Sequence, residues 1–433
     1  MKCLRWPAAL LPLFLPLILH AQTPLEDSLG LEQLQRVALE RNHDVRVSAL
    51  ALDSAAAAVT SAAAAPNPML TVQTMNINPG LGVGAGSLRS KTVDSSVRID
   101  QLLERGGKRG LRRDGALHQE EGAREDVREA RRQLRLAVSQ AYYDALAAGE
   151  RLTILNDTAQ LYQRTVEVAQ KKRQAGDVSP ADVARLQVEA LRASNDTAQA
   201  RSDVARTRLA LALLTGIDNR QAQLPLADGW PAVAATTLAQ ADPAEAAIAH
   251  RPDVMAAQAR VAAALSAHKL ALASRTRDVS IGVQAEHYPT SASNPQGSGN
   301  SFGISLQVPL FLRYQYDGEI RSAQVALDLA QENLEQARIL ARAELSRSVL
   351  DMRSNGERLQ RIDDSLLPAA QKSAQAAEFA YQHGALPIAD VLDVRRSYRA
   401  VQLDALAARS DYAKALAAWQ ASFPTASLES TTP

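Results

Sequence analysis

The sequence predicts an α+β fold in which one helix–strand–strand–long helix–helix unit occurs twice. Three observations predict it. Short motifs recur in the same order in the two halves of the chain. Aromatic residues make up only 4% of a chain crowded with good helix formers. No proline occurs between Pro79 and Pro180. The first observation indicates a duplication, and the other two favour long helices.

The duplication consists of four matching blocks. Each block in the second half keeps the order and spacing of its counterpart in the first: 44–45 with 253–254, 149–152 with 356–359, 176–183 with 384–391, and 200–205 with 408–413. Alanine-rich helices could produce one such match by chance, but not four in the same order. The chain therefore consists of two homologous units.

The N-terminus has the pattern of a secretory signal peptide. Lys2 and Arg5 precede an apolar run over 8–19, which His20 and Ala21 follow. The run is too short and too broken by proline to span a membrane, so we predict a signal peptide over 1–21; a helical membrane anchor is the alternative. The only cysteine, Cys3, would be removed with the signal peptide, so the mature chain would have no cysteine to form a disulfide or to carry a lipid.

The remaining chain divides into two repeats and their connections. We predict the first structural repeat over 22–214, a linker over 215–242, the second repeat over 243–423, and a flexible C-terminal tail over 424–433. Pro225 and Pro231 mark the linker.

Both repeats are predicted to contain the same five elements in the same order. In the first repeat these are a helix, two strands, a long helix and a return helix, at about 31–64, 68–77, 93–103, 108–175 and 180–214. In the second repeat they lie at about 243–274, 278–288, 301–311, 318–383 and 388–423. Roughly 65 residues of helix make a rod of about 100 Å, which must pack against other helices along its length. Pro368 interrupts the second rod and predicts a kink or local unwinding there.

The predicted strands alternate between apolar and polar residues. The pattern is clear over 279–286 and 302–308 and weaker over 97–100. Strands of about ten residues with this alternation are typical of an outer-membrane barrel, although a half-buried soluble sheet alternates in the same way. Four strands cannot close a barrel, and open sheet edges are not tolerated in lipid. If the chain is an α+β membrane protein, several copies must therefore complete the barrel.

These features together resemble a known family, the outer-membrane efflux proteins of the TolC type. The resemblance rests on the duplicated order of elements, on the glycine-centred turns at 176–183 and 384–391, and on Arg251-Pro252-Asp253-Val254. It also rests on the strand ends at 101–103 and 308–311. The stretch Glu104-Arg105-Gly106-Gly107-Lys108-Arg109 is similar to the heavy-metal efflux (CzcC-like) branch.

The resemblance implies a homotrimer in the outer membrane of a Gram-negative bacterium. Three copies would form a twelve-stranded β-barrel continued by a long periplasmic α-helical barrel. Such a channel binds no cofactor, catalyses no reaction, and works with a periplasmic adaptor (membrane fusion) protein and an inner-membrane pump, here of the resistance-nodulation-division type. Metal cations or drugs are the implied substrates, and type I protein secretion is the alternative within the family. A periplasmic coiled-coil adaptor or scaffold is the alternative from another class, but it leaves the paired hairpins unexplained.

The two helical turns are the predicted periplasmic tips. Ser179 is placed to cap a helix that starts at Pro180, and Gly176 can adopt the positive φ that ends the preceding helix. Gly384 and Pro387 occupy the matching positions of the second turn. Capping alone would explain all these residues. The resemblance adds that Gly176, Ser179, Gly384 and Pro387 lie where the adaptor docks.

The resemblance also implies a gate at these tips. Asp390 and Asp393 match acidic residues that ring the aperture, and three copies would bring six carboxylates together. Tyr381 matches the family's gate tyrosine and Asp182 its hydrogen-bond partner. A helix-start acid is the plain alternative for Asp390 and Asp182. The family's second gate pair, an arginine and a threonine, is replaced by Leu386 and Ala181, so closure must differ in detail; Arg173 and His383 are candidates for it.

Other classes of site lack support in the sequence. The formal net charge of +1 offers no field to recruit nucleic acid. The histidines are scattered without the close spacing of metal ligands, and no catalytic motif occurs. The charged run over 124–132 is typical of a solvated helix face with paired charges three residues apart.

Overall fold

The computed structural model describes residues 28–75, 77, 93–176, 178–218, 220, 223, 225–233, 245–288 and 299–422. The predicted signal peptide and C-terminal tail lie outside these residues, as do residues 234–242 of the predicted linker and most of the two hairpin loops.

Nine α-helices and four strands make up the described part of the chain. The first repeat contains α1 (Leu31–Arg41), α2 (His43–Ala63), β1 (Met69–Met75), β2 (Asp94–Leu103), α3 (Lys108–Gln174) and α4 (Pro180–Thr215). The second repeat contains α5 (Glu245–Ala249), α6 (Pro252–Ala273), β3 (Val279–Tyr288), β4 (Gly299–Gln307), α7 (Asp317–Arg361), α8 (Leu367–Gln382) and α9 (Ile388–Ala421).

The prediction of one continuous helix at the start of each repeat was wrong. In the first repeat the helix breaks at Asn42, whose Oδ1 accepts hydrogen bonds from the backbone N–H groups of Asp44 (2.8 Å) and Val45 (3.4 Å). In the second repeat it breaks at Arg251, and Pro252 starts the new helix. An asparagine cap and a first-turn proline both favour a helix start, and each repeat uses one of them at the same place.

The prediction for the last strand was also too long. Strand β4 ends at Gln307 and not at residue 311. Pro309 has no N–H to donate to a sheet ladder, which is consistent with the strand ending before it.

Helix α3 is the longest element. It has 67 residues, so its length is about 100 Å. Buried side chains recur along it from Val127 to Ala169 and pack against the return helix α4 and the neighbouring helices α2 and α6. Burial along its whole length explains how a single helix can be this long.

The second rod is interrupted as its proline predicted. Residues Ile362–Leu366 form a π-helical turn between α7 and α8, and Pro368 follows at the second residue of α8. A proline inside a helix removes one hydrogen bond and collides with the preceding turn, and a π turn relieves both effects. Asp363 in this turn forms an ion pair with Arg409 of α9 at 2.9 Å.

The largest core lies where the linker crosses the helices. Leu34, Val138, Tyr142 and Leu211 are buried together there, with Trp230 packed on their edge. The hydroxyl of Tyr142 accepts a hydrogen bond from the backbone N–H of Asp228 at 2.9 Å, and burial raises the pKa of this tyrosine to about 12. Tyr142 therefore ties the linker to α3.

Helix α2 differs from the other long helices in its exposure. Val45 is its only buried residue, and the side chains of Val47 and Leu50 are 65% and 66% exposed. By length and composition it is also the one helix in the described chain that could cross a membrane. An alanine-rich face of this kind equally suits close packing against a helix of another copy.

Candidate functional site

The four strands form one antiparallel sheet in the order β1-β2-β3-β4. Pairing between β2 and β3 joins the hairpin of the first repeat to that of the second. All the helices attach at one end of this sheet, because α2 and α6 lead into strands and α3 and α7 follow strands at the same end. The outer edges of β1 and β4 have no strand partner among the described residues.

One face of the sheet is apolar and exposed. A row across the middle consists of Leu70, Ile99, Val283 and Ile304, which are paired in register. Their side chains are 62%, 52%, 56% and 85% exposed. Phe302 and Leu306 on the same face are 84% and 69% exposed. A half-buried soluble sheet would cover such a face with helices, and this chain leaves it open.

The opposite face carries a cross-strand polar network centred on Arg98. The guanidinium donates from Nε to both oxygens of Asp100 (2.9 and 2.7 Å) and from Nη2 to Asp100 Oδ1 (2.7 Å). It also donates from Nη2 to Ser305 Oγ at 2.7 Å. The network therefore reaches from β2 across β3 to β4 and crosses the seam between the two repeats.

Gly282 provides the space for this network. A Cβ at this position would meet the Asp100 carboxylate and lie 2.5 Å from Ser305 Oγ and 2.9 Å from Arg98 Nη2. Since such contacts are too short, the Arg98–Asp100 pair can lie flat on the sheet only if residue 282 has no side chain.

At the first helical tip, the side chain of Ser179 caps the start of α4. Ser179 Oγ accepts a hydrogen bond from the backbone N–H of Asp182 (3.1 Å), and the same hydroxyl donates to Asp182 Oδ2 (2.8 Å). Gly176 ends α3 with a φ of 87°, in the region that favours glycine. These contacts give Ser179, Asp182 and Gly176 a structural role in the isolated chain.

The second tip lacks the side-chain cap. Gly384 ends α8 with a φ of 74°, and the N–H of Ala385 donates to Ala380 O at 2.8 Å. Pro387 is the N-cap of α9 and makes no side-chain hydrogen bond. The Nδ1–H group of His383 donates to Phe379 O (2.9 Å), and the imidazole packs on the Phe379 ring. The two tips therefore have the same backbone turn with different side-chain support.

The predicted acidic residues lie at the start of α9. Asp390 and Asp393 are both exposed. Asp393 pairs with Arg396 at 2.6 Å, whereas Asp390 has no ion pair within the described residues. Within one chain the acidic character of this turn is therefore concentrated at Asp390.

The predicted gate pair is not joined by a hydrogen bond within the described chain. The carboxylate of Asp182 is bound by Ser179, and the ring of Tyr381 lies 5.6 Å from Lys172 Nζ, in a cation–π contact. The link between Tyr381 and Asp182 stays a prediction about the assembled closed state. Arg173 is exposed in the last turn of α3, beside Lys172.

Three arginines of α9 were missed by sequence reasoning. Arg395 bonds Glu378 of α8 and donates to Thr165 Oγ1 of α3 at 3.2 Å. Arg396 lies 3.2 Å from Glu189 of α4, and Arg399 lies 3.5 Å from Asp196 of α4. We call Arg395, Arg396 and Arg399 the arginine ladder. It connects the return helices of the two repeats just above the tips.

The Arg251-Pro252-Asp253 motif forms a buried clasp. The side chain of Arg251 is 2% exposed and binds Asp253 and Glu344, each at 2.8 Å. Arg132 of α3 reaches the same Glu344 at 3.2 Å. Burial alone would raise the pKa values of Asp253 and Glu344, but the bonds from Arg251 hold both below their usual range. The clasp joins α3, α6 and α7.

The stretch from Glu104 to Arg109 forms the corner between β2 and α3. Gly106 and Gly107 have φ of 73° and 71°, which turn the chain from strand to helix. Lys108 Nζ donates to Thr276 O and to Asp278 Oδ2, both at 2.8 Å. This motif, similar to the heavy-metal branch, therefore has a structural explanation that does not involve cargo. Across the described residues there is no group of three or more His, Cys, Asp or Glu side chains arranged to hold a metal ion.

Comparison with known proteins agrees with this architecture. The family of outer membrane efflux proteins matches residues 34–217 and 244–422. The chain is 25% identical over 373 residues to the cobalt-zinc-cadmium resistance protein CzcC of Cupriavidus metallidurans, covering 85% of this chain and 84% of that protein. It is 26% identical over 427 residues to the pyoverdine export outer membrane protein OpmQ of Pseudomonas putida, covering 91% and 87%. A crystal structure of CusC matches with a TM-score of 0.74 at 20% identity, covering 91% of this chain and 92% of that one, which is a likeness of fold.

Proposed function

Because the chain belongs to the outer membrane efflux protein family, we propose that it is the outer-membrane channel of a tripartite efflux system. Substrates handed over by an inner-membrane pump and a periplasmic adaptor protein would leave the cell through it passively. The protein is located in the outer membrane, with a large periplasmic part. The channel itself would hydrolyse nothing, since the pump supplies the energy.

The observation that carries the proposal is the two-faced sheet. Its apolar face is exposed across all four strands, and its polar face holds the Arg98 network. Lipid tolerates such a sheet only if its edges are paired, and the edges of β1 and β4 are open in the described chain. Pairing β4 of one copy with β1 of the next would satisfy both edges and place the polar faces around a lumen.

Three copies would give a twelve-stranded barrel, the number that the family resemblance implies. The helices support the same assembly, because apolar side chains remain exposed along α2, α4 and α7; these include Val47, Leu50, Leu191, Leu213, Ile339 and Leu340. Such residues would be covered if the rods of neighbouring copies packed side by side into an α-helical barrel.

The tips would serve docking and gating. Gly176, Ser179, Gly384 and Pro387 form the two exposed turns farthest from the sheet, which suits adaptor docking. Asp390 and Asp393 begin the inner return helix, and a trimer would bring three copies of each towards one axis. We expect Asp390 to dominate such a ring, because Arg396 balances Asp393.

The proposed cargo is a metal cation or a small organic compound. The relatives are named for cobalt, zinc and cadmium resistance and for pyoverdine export, so their names span both classes. A deletion strain tested for growth with metal salts and with drugs would separate them. Complementation by the intact gene, and failure by one lacking 178–182, would link the phenotype to the channel tip.

A gel experiment tests the channel itself. Outer-membrane fractions loaded without heating should show an oligomer at about three times the mass of the chain, which boiling converts to the monomer. Purified oligomer in planar bilayers should then show discrete conductance steps. A soluble monomer, or an oligomer without conductance, would overturn the proposal.

A further inference from the structure

The corner between the sheet and the helical rods carries a second exposed surface. Leu310 and Leu312 are 67% and 83% exposed just beyond β4, and Tyr314 is 52% exposed. They follow in the chain from the apolar face of the sheet, on which Leu306 is 69% exposed. This surface lies at the end of the sheet where all the helices begin, which is the periplasmic end.

Arginines surround these apolar side chains. Arg277 lies 5.8 Å from the centre of the Phe311 ring, and Phe311 packs edge-on against Tyr316 at 5.2 Å. The backbone N–H of Arg105 donates to Asp278 Oδ1 at 2.9 Å, so the segments that carry Arg105 and Arg277 are adjacent. Arg313 lies between Leu312 and Tyr314 in the sequence. We define the corner surface as Arg105, Arg277, Leu310, Leu312, Arg313 and Tyr314.

The arginines of the corner surface are exposed and have no ion-pair partner within the described chain. The nearby carboxylates are already bound by other groups. Asp278 pairs with Lys108 at 2.8 Å, Asp317 with Arg275 at 2.5 Å, and Glu104 with Arg112 through Nη2 at 2.8 Å. Glu319 binds the Tyr314 hydroxyl. The corner surface therefore carries uncompensated positive charge beside an apolar edge.

We propose that the corner surface binds the headgroups of anionic phospholipids in the periplasmic leaflet of the outer membrane. The guanidinium groups match a phosphate in charge and geometry, and each basic group near an anionic lipid surface contributes about 1 kcal/mol. The boundary between headgroups and acyl chains suits apolar and aromatic side chains, here Leu310, Leu312 and Tyr314. In this role the corner surface anchors each copy at the inner boundary of the membrane, independently of the cargo.

A lipid titration tests the proposal. Purified oligomer in neutral detergent micelles is supplied with increasing phosphatidylglycerol, and the temperature at which the oligomer dissociates is followed on gels. The wild type should gain thermal stability, and the gain should shrink from 50 to 500 mM salt as the charges are screened. The triple variant Arg105→Gln/Arg277→Gln/Arg313→Gln should bind the lipid about a hundredfold more weakly, since each arginine contributes about fivefold.

Two variants and two ligands control the experiment. Exposed arginines far from the corner surface, replaced in Arg131→Gln/Arg164→Gln/Arg201→Gln, should leave the lipid effect intact. The variant Arg105→Lys/Arg277→Lys/Arg313→Lys keeps the charge and should retain most of the effect, which separates charge from folding. Phosphatidylcholine and inorganic phosphate should have little effect.

Three results would overturn the proposal. One is an undiminished phosphatidylglycerol effect in the glutamine triple variant. Another is an equal effect of phosphatidylcholine in the wild type. The third is full stabilisation by inorganic phosphate alone, because that would make the corner surface a site for small anions.

Discussion

Glycine is required at position 282 because the neighbouring side chains leave no space for a Cβ, and not because of its backbone conformation. We expect Gly282→Ala to displace the Arg98–Asp100 pair, because a Cβ there would lie 2.5 Å from Ser305 Oγ. The substitution should destabilise the folded protein by about 1–3 kcal/mol, as at other overpacked sites. The loss should appear as a lower dissociation temperature of the oligomer. Gly303→Ala is the matched control, since its Cβ would meet the movable side chain of Gln284 at 3.1 Å. Equal losses in both variants would contradict this account.

The clasp around Arg251 predicts acid sensitivity. The pKa values of Asp253 and Glu344 lie below their ordinary values of 3.8 and 4.5, so the folded chain binds fewer protons than the unfolded one. The two carboxylates therefore contribute their full stabilisation of the fold when the pH is above their ordinary pKa values. This stabilisation is lost as the pH falls through their lowered pKa values in the folded chain. Glu344→Gln should lower the melting temperature at pH 7, and the melting temperature of this variant should decrease less between pH 5 and pH 3 than that of the wild type. Circular dichroism measures both. The exposed Glu332→Gln on the same helix is the control; an unchanged pH profile in Glu344→Gln would refute the assignment.

A substitution at Tyr381 can test the role of its hydroxyl group alone. Tyr381→Phe removes the hydroxyl that the proposed closed state uses towards Asp182, and keeps the ring that contacts Lys172. If the hydroxyl holds the tip closed, leak conductance in planar bilayers should rise. Lys172→Met is the complementary variant, because it removes the cation–π contact and keeps the hydroxyl. A rise in Lys172→Met alone would assign closure to the ring contact.

At the scale of elements, Arg396 and Arg399 of the arginine ladder connect the return helix α9 to α4. In the variant the buried Glu189 keeps its ion pair with Arg192 at 3.2 Å, so each lost pair should cost no more than an exposed pair, up to about 1 kcal/mol. The loss of two could therefore raise the open fraction by up to about thirtyfold. We therefore expect Arg396→Gln/Arg399→Gln to raise conductance and passive uptake of a bulky antibiotic. Arg347→Gln is the control, because its ion pair with Asp351 lies within α7 and links no other helix. Unchanged conductance in the double variant would show that the ladder does not restrain the tip.

The elements also show which features a sequence can predict. The interruption of the helix near Pro368 was predicted correctly, because a proline acts on its own turn, within a few residues; that it takes the form of a π turn was not predicted. The break at Asn42 was missed, since residues compatible with a helix lie on both sides of it and the cap is one side chain. The ladder was missed because Glu189 and Asp196 lie about two hundred residues before their partners in α9. Local effects could be predicted, whereas pairings across the duplicated halves required the fold.

At the scale of the whole molecule, the alternation of the strands predicted two faces but not which face meets lipid. The register decides this, because it aligns Leu70, Ile99, Val283 and Ile304 in one exposed row and Thr71, Arg98 and Gln284 in the next. The strand order makes β1 and β4 the edges of the described sheet. Membrane insertion and assembly are therefore expected to depend on each other, since an open edge in lipid costs several kcal/mol for each unpaired backbone group.

This dependence predicts opposite outcomes for one charge placed on the two faces. Ile304→Lys puts an ammonium group in the apolar row that crosses the middle of the sheet, where a lysine at the bilayer midplane costs about 2–4 kcal/mol in each copy. In the proposed trimer all three copies would carry that cost, so heat-resistant oligomers should largely disappear from the outer membrane. Gln73→Lys places the same charge on the polar face, where Gln73 pairs with Ser96, and oligomer yield should be nearly unchanged. Loss of oligomer in Gln73→Lys and not in Ile304→Lys would reverse the assignment of the faces, because lipid would then contact the side that carries Arg98.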